Sequence, residues 1–90
     1  MKKRKKMIIS GAVQGVFFRR FIYEHAKQLG LKGYVKNIEG GNVEAVFEGD
    51  EDKIKKMIDL CKNGPPTAKV ENIKITEEKL KNEKEFVRKN

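Results

Sequence analysis

The chain has 90 residues, a formal net charge of +8, and 38% charged residues beside 38% hydrophobic ones. A chain of this length is expected to form one domain, and its apolar runs are far below the roughly 18–20 residues that a membrane-spanning helix needs. One cysteine and one histidine are too few for a disulfide, a zinc cluster or a Cys–His catalytic pair with any redundancy. The composition therefore predicts a soluble, metal-free domain, and the missing signal-like segment predicts a cytoplasmic one.

The basic residues are concentrated at the start of the chain. The run Lys2–Lys6 supplies five positive charges and leaves +3 for the rest. Such a run is more often solvated than bound to nucleic acid or another anion. We therefore expect a single domain over residues 1–90 in which residues 1–5 form a flexible basic tail and the first strand begins at Lys5.

The first half of the chain alternates between strand and helix patterns. Residues 5–12 carry β-formers and predict a strand. From Phe18 to Leu29 apolar residues recur three and four apart, which predicts an amphipathic helix with Gly30 as its C-terminal cap. Residues 31–38 and 42–48 then have strand composition on either side of a glycine pair, so they predict a hairpin with one buried face.

The second half repeats this order. Asp50 can cap a second helix, whose apolar stripe ends near Cys61, and Gly64-Pro65-Pro66 stops it. Cys61 lies on that stripe and is expected to be a small buried hydrophobe. A strand is predicted over residues 68–75, where the break in alternation between Val70 and Ile73 indicates a bulge or a change of face.

Phe86-Val87 could add a short final strand after a polar stretch. The element order is then β-α-β-β-α-β with a possible extra strand. This order predicts an α+β fold of the ferredoxin-like type, in which a mostly antiparallel sheet carries two helices on one face.

The glycine-bearing loop between the first strand and the first helix is a candidate anion site. Backbone N–H groups at a helix N-terminus lack partners, and the helix dipole favours negative charge there. Gly11 and Gly15 are too close for a Walker phosphate loop. On a helical wheel Arg19 lies about 80° from the centre of the apolar face and Arg20 about 180°, so Arg19 can bend towards the loop and Arg20 points to water. Taken alone, Arg19 would more often be an ordinary surface arginine.

Asn37 is placed at the same edge by topology. A helical crossover makes the first two strands parallel, so their C-terminal ends share one edge of the sheet, with one strand, about 10 Å, between them. Asn37 ends the second strand and therefore comes near the Arg19 loop. A lone asparagine before a turn is more often a turn former than a catalyst.

Together these segments resemble the acylphosphatase family. The likeness rests on GAVQGVFFR (Gly11–Arg19) and GYVKN (Gly33–Asn37), and it extends to residues 48–50 and 64–66, nearly the whole domain. Two departures stand out: Phe17 occupies a position where many bacterial and archaeal members carry glycine, and the chain ends in FVRKN without a fuller last strand, which leaves that strand's pairing open.

The resemblance implies an acylphosphate phosphohydrolase, an enzyme that cleaves the carboxyl–phosphate bond of acyl phosphates without a cofactor or metal. It implies that Arg19 binds the phosphate and Asn37 holds the attacking water. The loop would supply backbone donors; its residues are Val13, Gln14, Gly15, Val16, Phe17 and Phe18.

The partners expected on this reading are a small acyl phosphate and inorganic phosphate, the latter as product and inhibitor, for a monomer that binds neither membrane nor specific nucleic acid. One alternative is a small basic nucleic-acid-binding module of ferredoxin-like fold, although Lys32–Lys36 only faintly matches the pattern of RNA-recognition strands. Another is a domain of the kind fused to larger enzymes that handle carbamoyl phosphate. No residue indicates what recognises the acyl group.

Overall fold

The computed structural model describes residues 1–89; Asn90, which the predicted domain includes, lies outside the described residues. The strands are β1 (Lys2–Ala12), β2 (Lys32–Asn37), β3 (Val43–Asp50), β4 (Lys69–Glu78) and β5 (Phe86–Arg88), and the helices are α1 (Phe18–Gln28) and α2 (Glu51–Asn63). The strands form one sheet in the order β4-β1-β3-β2-β5, in which adjacent strands are antiparallel except for β2 and β5, which are parallel. The predicted ferredoxin-like α+β fold is confirmed.

The core lies between the sheet and the two helices. Alternate residues of the strands point into it, as the period of two requires, and each helix adds a stripe at three- and four-residue spacing. The buried members include Met7, Ile9, Val35, Val43, Ala45 and Phe47 from the sheet, and Phe18, Ile22, Ala26, Ile54, Met57 and Cys61 from the helices.

Two predicted local features are confirmed. Helix α1 ends as expected: Leu31 and Gly30 donate backbone hydrogen bonds to Ala26 and Lys27 (2.9 and 3.1 Å), with Gly30 at φ 73°. The bulge in β4 is also present. Ser10 pairs with Asn72 but Gly11 pairs with Val70, which leaves one extra residue in β4.

Gly11 is required where this bulge meets β1. Its φ is 127°, and a Cβ at that position would lie 2.2 Å from the backbone oxygen of Lys69. A side chain would therefore collide with the neighbouring strand. Glycine lets β1 pass close to β4 just before the chain enters the loop.

The prediction of a flexible basic tail was wrong. Strand β1 begins at Lys2, and Arg4 pairs directly with Glu48 on one side and Glu78 on the other. The physical reason lies in residues far along the chain. Strand β3 runs on to Asp50 and β4 to Glu78, and carboxylates of these two strands pair with Lys3, Arg4 and Lys6.

Arg4 is the centre of a buried charge cluster on the sheet face opposite the helices. It is 2% exposed and Glu48 4%. Its Nε donates to Glu78 (3.0 Å), and its Nη1 donates to Glu48 (3.3 Å) and Glu83 (3.0 Å). Glu48 also accepts from the backbone N–H groups of Lys81 and Glu83.

This cluster fixes the segment 79–85, which carries the chain from β4 at one edge of the sheet to β5 at the other. It also overturns the expectation that the hairpin buries one face only. In β3 both faces are buried, with Phe47 on the core side and Val46 and Glu48 on the other.

Helix α2 begins where predicted but without the expected cap. Asp50 occupies the N-cap position, yet its side chain makes no capping hydrogen bond. The N–H of Glu51 donates instead to the backbone oxygen of Met1 (3.0 Å). Further along the helix, Cys61 is fully buried as predicted, and burial raises the pKa of its thiol to about 12.

Replacing Arg4 should destabilise the fold far more than replacing its neighbour. Arg4→Met leaves a buried carboxylate without its cation, and we expect a loss of roughly 3–5 kcal/mol in the free energy of unfolding, measured by urea denaturation. Lys3→Met removes the same charge from the same strand. Because the Lys3–Glu77 pair (3.4 Å) is solvent-exposed, its loss should be below about 1 kcal/mol. Equal effects would show that the cluster does not stabilise the fold.

The Arg4–Glu48 pair should make the free energy of unfolding sensitive to acid. Burial by itself would raise the pKa of Glu48, but hydrogen bonds from Lys81, Glu83 and Arg4 outweigh it, so that pKa lies below its ordinary value of 4.5. The stabilisation is thus fully present above about pH 4.5 and is lost as the pH falls through the lower folded-state pKa. The free energy of unfolding, measured from pH 6 to pH 2, should fall more steeply for the parent than for Arg4→Met.

Candidate active site

The ends of three strands meet at one edge of the sheet. Strands β1 and β2 are parallel because both are antiparallel to β3, and β5 is parallel to β2. Their C-terminal ends border a cleft of about 510 Å³. The residues that line it are Val13, Gly15, Phe17, Phe18, Arg19, Arg20, Asn37 and Arg88. Arg19 and Asn37, which lie 18 positions apart in the chain, therefore share one cleft.

The loop after β1 presents unpaired backbone donors. Among residues 1–89, the N–H groups of residues 14–17 donate to no backbone acceptor. Helix α1 begins at Phe18 with no side-chain cap and no acidic residue in its first turn, so the N–H groups of that turn are also free of intrahelical partners. These donors and the positive end of the helix dipole make this end of the cleft suited to an anion.

Phe17 adopts an unusual backbone conformation at this turn. Its φ and ψ are 62° and 20°, the left-handed region, which costs a non-glycine residue roughly 1 kcal/mol or more. Its side chain is 72% exposed, whereas the next residue, Phe18, is buried in the core. A strained backbone conformation and an exposed aromatic ring therefore occur together at this border of the cleft.

Two predicted loop residues act outside the cleft. The Gln14 side-chain amide donates to the backbone oxygens of Ile38 (3.0 Å) and Asn42 (2.8 Å), and so ties the loop to the turn after β2. The Val16 oxygen accepts from the Thr67 hydroxyl (2.8 Å). Neither Gln14 nor Val16 lines the cleft. The role of Thr67 was not predicted, because a threonine after a proline pair carries no distinguishing pattern.

The two adjacent arginines have different surroundings. The Arg19 Nη1 donates to the backbone oxygen of Lys89 at 2.7 Å, which leaves other donors of the guanidinium for a ligand. Arg20 also borders the cleft, but its side chain is 64% exposed and its Nε donates to Glu24 (3.2 Å) one turn along the helix. Arg19 is therefore the arginine that bridges α1 and the end of β5.

Asn37 carries an unsatisfied acceptor. Its side-chain oxygen Oδ1 is buried and has no hydrogen-bond partner in the described part of the chain. Buried polar atoms are nearly always paired, so an orphan acceptor in a cleft calls for a ligand or a water as its partner.

Arg88 is a cleft residue that sequence analysis missed. It stands opposite Val35 in the parallel β2–β5 pair, and its guanidinium lies over the Tyr23 ring at 5.9 Å. Only the pairing of the short β5 brings it here, and the sequence left that pairing open. It is a third arginine beside Arg19 and Arg20.

Over residues 1–89 no three His, Cys, Asp or Glu side chains come together as a possible metal site. Neither helix in that range has the length and hydropathy to cross a membrane. The fold and cleft define a class: a small α+β domain whose first β-α turn borders a cleft lined by arginines.

Comparison with known proteins identifies the family within that class. A family model described as Acylphosphatase matches residues 5–88. The acylphosphatase of Syntrophobacter fumaroxidans is 45% identical over 87 residues, which cover 97% of this chain and 88% of the relative. The crystal structure of acylphosphatase from Bacillus subtilis superposes with a TM-score of 0.94 at 36% identity and covers all of both chains. Full-length HypF in its phosphate- and nucleotide-bound form gives a TM-score of 0.93 at 32% identity over all of this chain and 12% of HypF.

The chain belongs to the acylphosphatase family, which consists of acyl-phosphate hydrolases. The predicted family, fold and enzyme class are confirmed. The roles of the individual site residues stay predictions.

The nucleic-acid-binding alternative has no support in these comparisons, and the structure supplies a physical reason. Lys3, Arg4 and Lys6 pair with carboxylates of β3, β4 and the segment after β4. The hydroxyl of Tyr34, the aromatic residue of the second motif, donates to Glu44 at 2.7 Å. Three of the five cations of the basic run and the hydroxyl of this tyrosine therefore already have partners within the fold.

Proposed function

We propose that the cleft hydrolyses the carboxyl–phosphate bond of a small acyl phosphate, with Arg19 and the loop binding the phosphoryl group and Asn37 positioning the attacking water. The observation that carries this assignment is the orphan Oδ1 of Asn37, a residue that lines the same cleft as Arg19 and the uncapped start of α1. Donors suited to phosphate and an acceptor suited to water thus belong to one cleft.

The phosphoryl group is bound by charge and by fixed donors. The Arg19 guanidinium stays ionised at any relevant pH, and its planar fork donates parallel hydrogen bonds to phosphate oxygens. The amides of residues 14–17 and of the first turn of α1 supply further donors. Because these groups are held in place before substrate arrives, they stabilise the charge of the transition state without reorganisation.

Asn37 acts on the nucleophile. Its Oδ1 accepts a hydrogen bond from water and turns an oxygen lone pair towards phosphorus. An amide is too weak a base to remove the proton outright, so the substrate's own phosphate or bulk water takes it. The bond between the water oxygen and phosphorus forms as the bond to the carboxylate oxygen breaks.

The reaction places few chemical demands on the protein. The departing carboxylate is a good leaving group, so positioning and charge neutralisation are sufficient and no protein nucleophile is needed. Inorganic phosphate shares the group that the loop binds and should therefore inhibit. The monomeric state, the cytoplasmic location and the absence of a cofactor belong to the same proposal and stay predictions.

The purified protein should hydrolyse acetyl, carbamoyl or benzoyl phosphate with a metal chelator present and leave ordinary phosphate monoesters nearly untouched. Release of inorganic phosphate measures both, and added phosphate should compete with substrate. Complete loss of activity in chelator, restored by a divalent ion, would contradict the cofactor-free mechanism.

The two adjacent arginines should differ sharply. Arg19→Gln removes a charged donor from the transferred group and should lower kcat/KM by roughly 10²- to 10³-fold and weaken phosphate inhibition. Arg20→Gln is the matched control, with the same substitution one residue along the helix, and should have a mild effect. A reversal of the two results would mean that Arg20 is the phosphate ligand.

Asn37→Ala should separate turnover from binding. The water is no longer held in line, so kcat should fall by roughly 10²-fold or more while the inhibition constant of inorganic phosphate stays nearly unchanged. Asn42→Ala makes the same change in the turn after β2, where the side chain does not line the cleft, and should lower kcat far less. Thermal unfolding of both variants checks the fold. A folded Asn37→Ala protein with near-normal kcat would reduce Asn37 to a turn residue.

A further inference from the structure

Phe17 combines two features that folding alone does not explain. In the described chain it is one of two non-glycine residues with positive φ, the other being Asn82. Asparagine tolerates this conformation through its short polar side chain, but phenylalanine does not. A strained residue persists where the surrounding structure holds it, and such residues cluster at functional sites.

The ring of Phe17 gains little from the fold in return. It is 72% exposed, while Phe18, Phe47 and Phe86 are all buried in the core. An exposed ring contributes little hydrophobic stabilisation, because that term follows the apolar area removed from water. Two phenylalanines line the cleft, Phe17 and Phe18, and both the strain and the exposure fall on Phe17.

We propose that the Phe17 ring contacts the acyl group of the substrate and gives the enzyme a preference for aromatic acyl phosphates over small aliphatic ones. This inference rests on the proposed function, because it takes the loop as the phosphoryl site. The acyl group is bonded directly to the phosphate. Phe17 lines the same cleft as Arg19 and belongs to the loop taken as the phosphoryl site, so its ring and the acyl group are neighbours.

The size of the cleft agrees with this assignment. Its volume of about 510 Å³ lies in the range of small-molecule pockets, roughly 300–1,000 Å³, and leaves room beyond a phosphoryl group. Two other apolar side chains that line it, Val13 and Phe18, are each only 1% exposed. The remaining lining side chains are arginines and Asn37, which suit the phosphate and the water. Phe17 is the exposed apolar surface that remains for an acyl group.

The test compares benzoyl phosphate with acetyl phosphate in the full-length protein and two variants. Phe17→Gly removes the ring and suits the left-handed backbone; Phe17→Tyr retains the ring. Aromatic contacts of this kind change binding by roughly two- to twelvefold. We therefore expect the ratio of kcat/KM for benzoyl to acetyl phosphate to fall by that factor in Phe17→Gly and to stay within about twofold of the parent in Phe17→Tyr.

Any effect of the substitution on phosphoryl binding by the loop cancels in this ratio, because both substrates carry the same phosphoryl group. Relief of backbone strain should leave the Tm of Phe17→Gly no lower than the parent's, so a lost preference would not reflect unfolding. An unchanged ratio in Phe17→Gly, or an equal fall in Phe17→Tyr, would overturn the assignment while the hydrolysis of both substrates upholds the proposed function. Failure of the parent to hydrolyse either substrate would overturn both.

Discussion

The site depends on one topological constraint, the common direction of β1, β2 and β5. A right-handed crossover through α1 makes β1 and β2 parallel, and β3 between them sets their separation. The parallel addition of β5 extends the same alignment to the far edge. Every strand that runs this way ends at one side of the sheet. The loop after β1, Asn37 and Arg88 therefore border a single cleft although they lie far apart in the sequence.

The opposite end of the sheet makes this arrangement possible. To reach β5 the chain must travel from one edge to the other, and the segment 79–85 has few apolar residues to hold it down. Arg4 and Glu48 hold it instead, through side-chain carboxylates and backbone N–H groups. Buried charges are costly to desolvate, and the hydrogen bonds of Arg4 to Glu48, Glu78 and Glu83 offset that cost. The N-terminal half of β1 therefore supports the C-terminal strand that borders the active site.

Local pattern in the sequence was sufficient for most of the fold. Helical spacing located both helices, the glycine pair located the hairpin, and the broken alternation after Val70 located the bulge. Helical phase and the crossover rule also brought Arg19 and Asn37 to one place. What escaped prediction was non-local. Lysine is a weak strand former, so Lys2–Lys6 resembled a solvated tail. The carboxylate partners of this run lie 38 to 79 residues further along the chain, and no local pattern links them to it. Arg88 and Thr67 were missed for the same reason, since each reaches its neighbours only through tertiary pairing.

The buried thiol of Cys61 can report how often the hydrophobic core opens. Burial raises the pKa of this thiol to about 12, so it is almost wholly protonated at pH 7. The sulfur lies in the core on α2, away from the cleft. A thiol-reactive dye can reach it only when α2 separates from the sheet. Because the chain has one cysteine, the labelling rate reports only the opening of the core around it. This rate can be measured under native conditions, in the same sample whose turnover is measured.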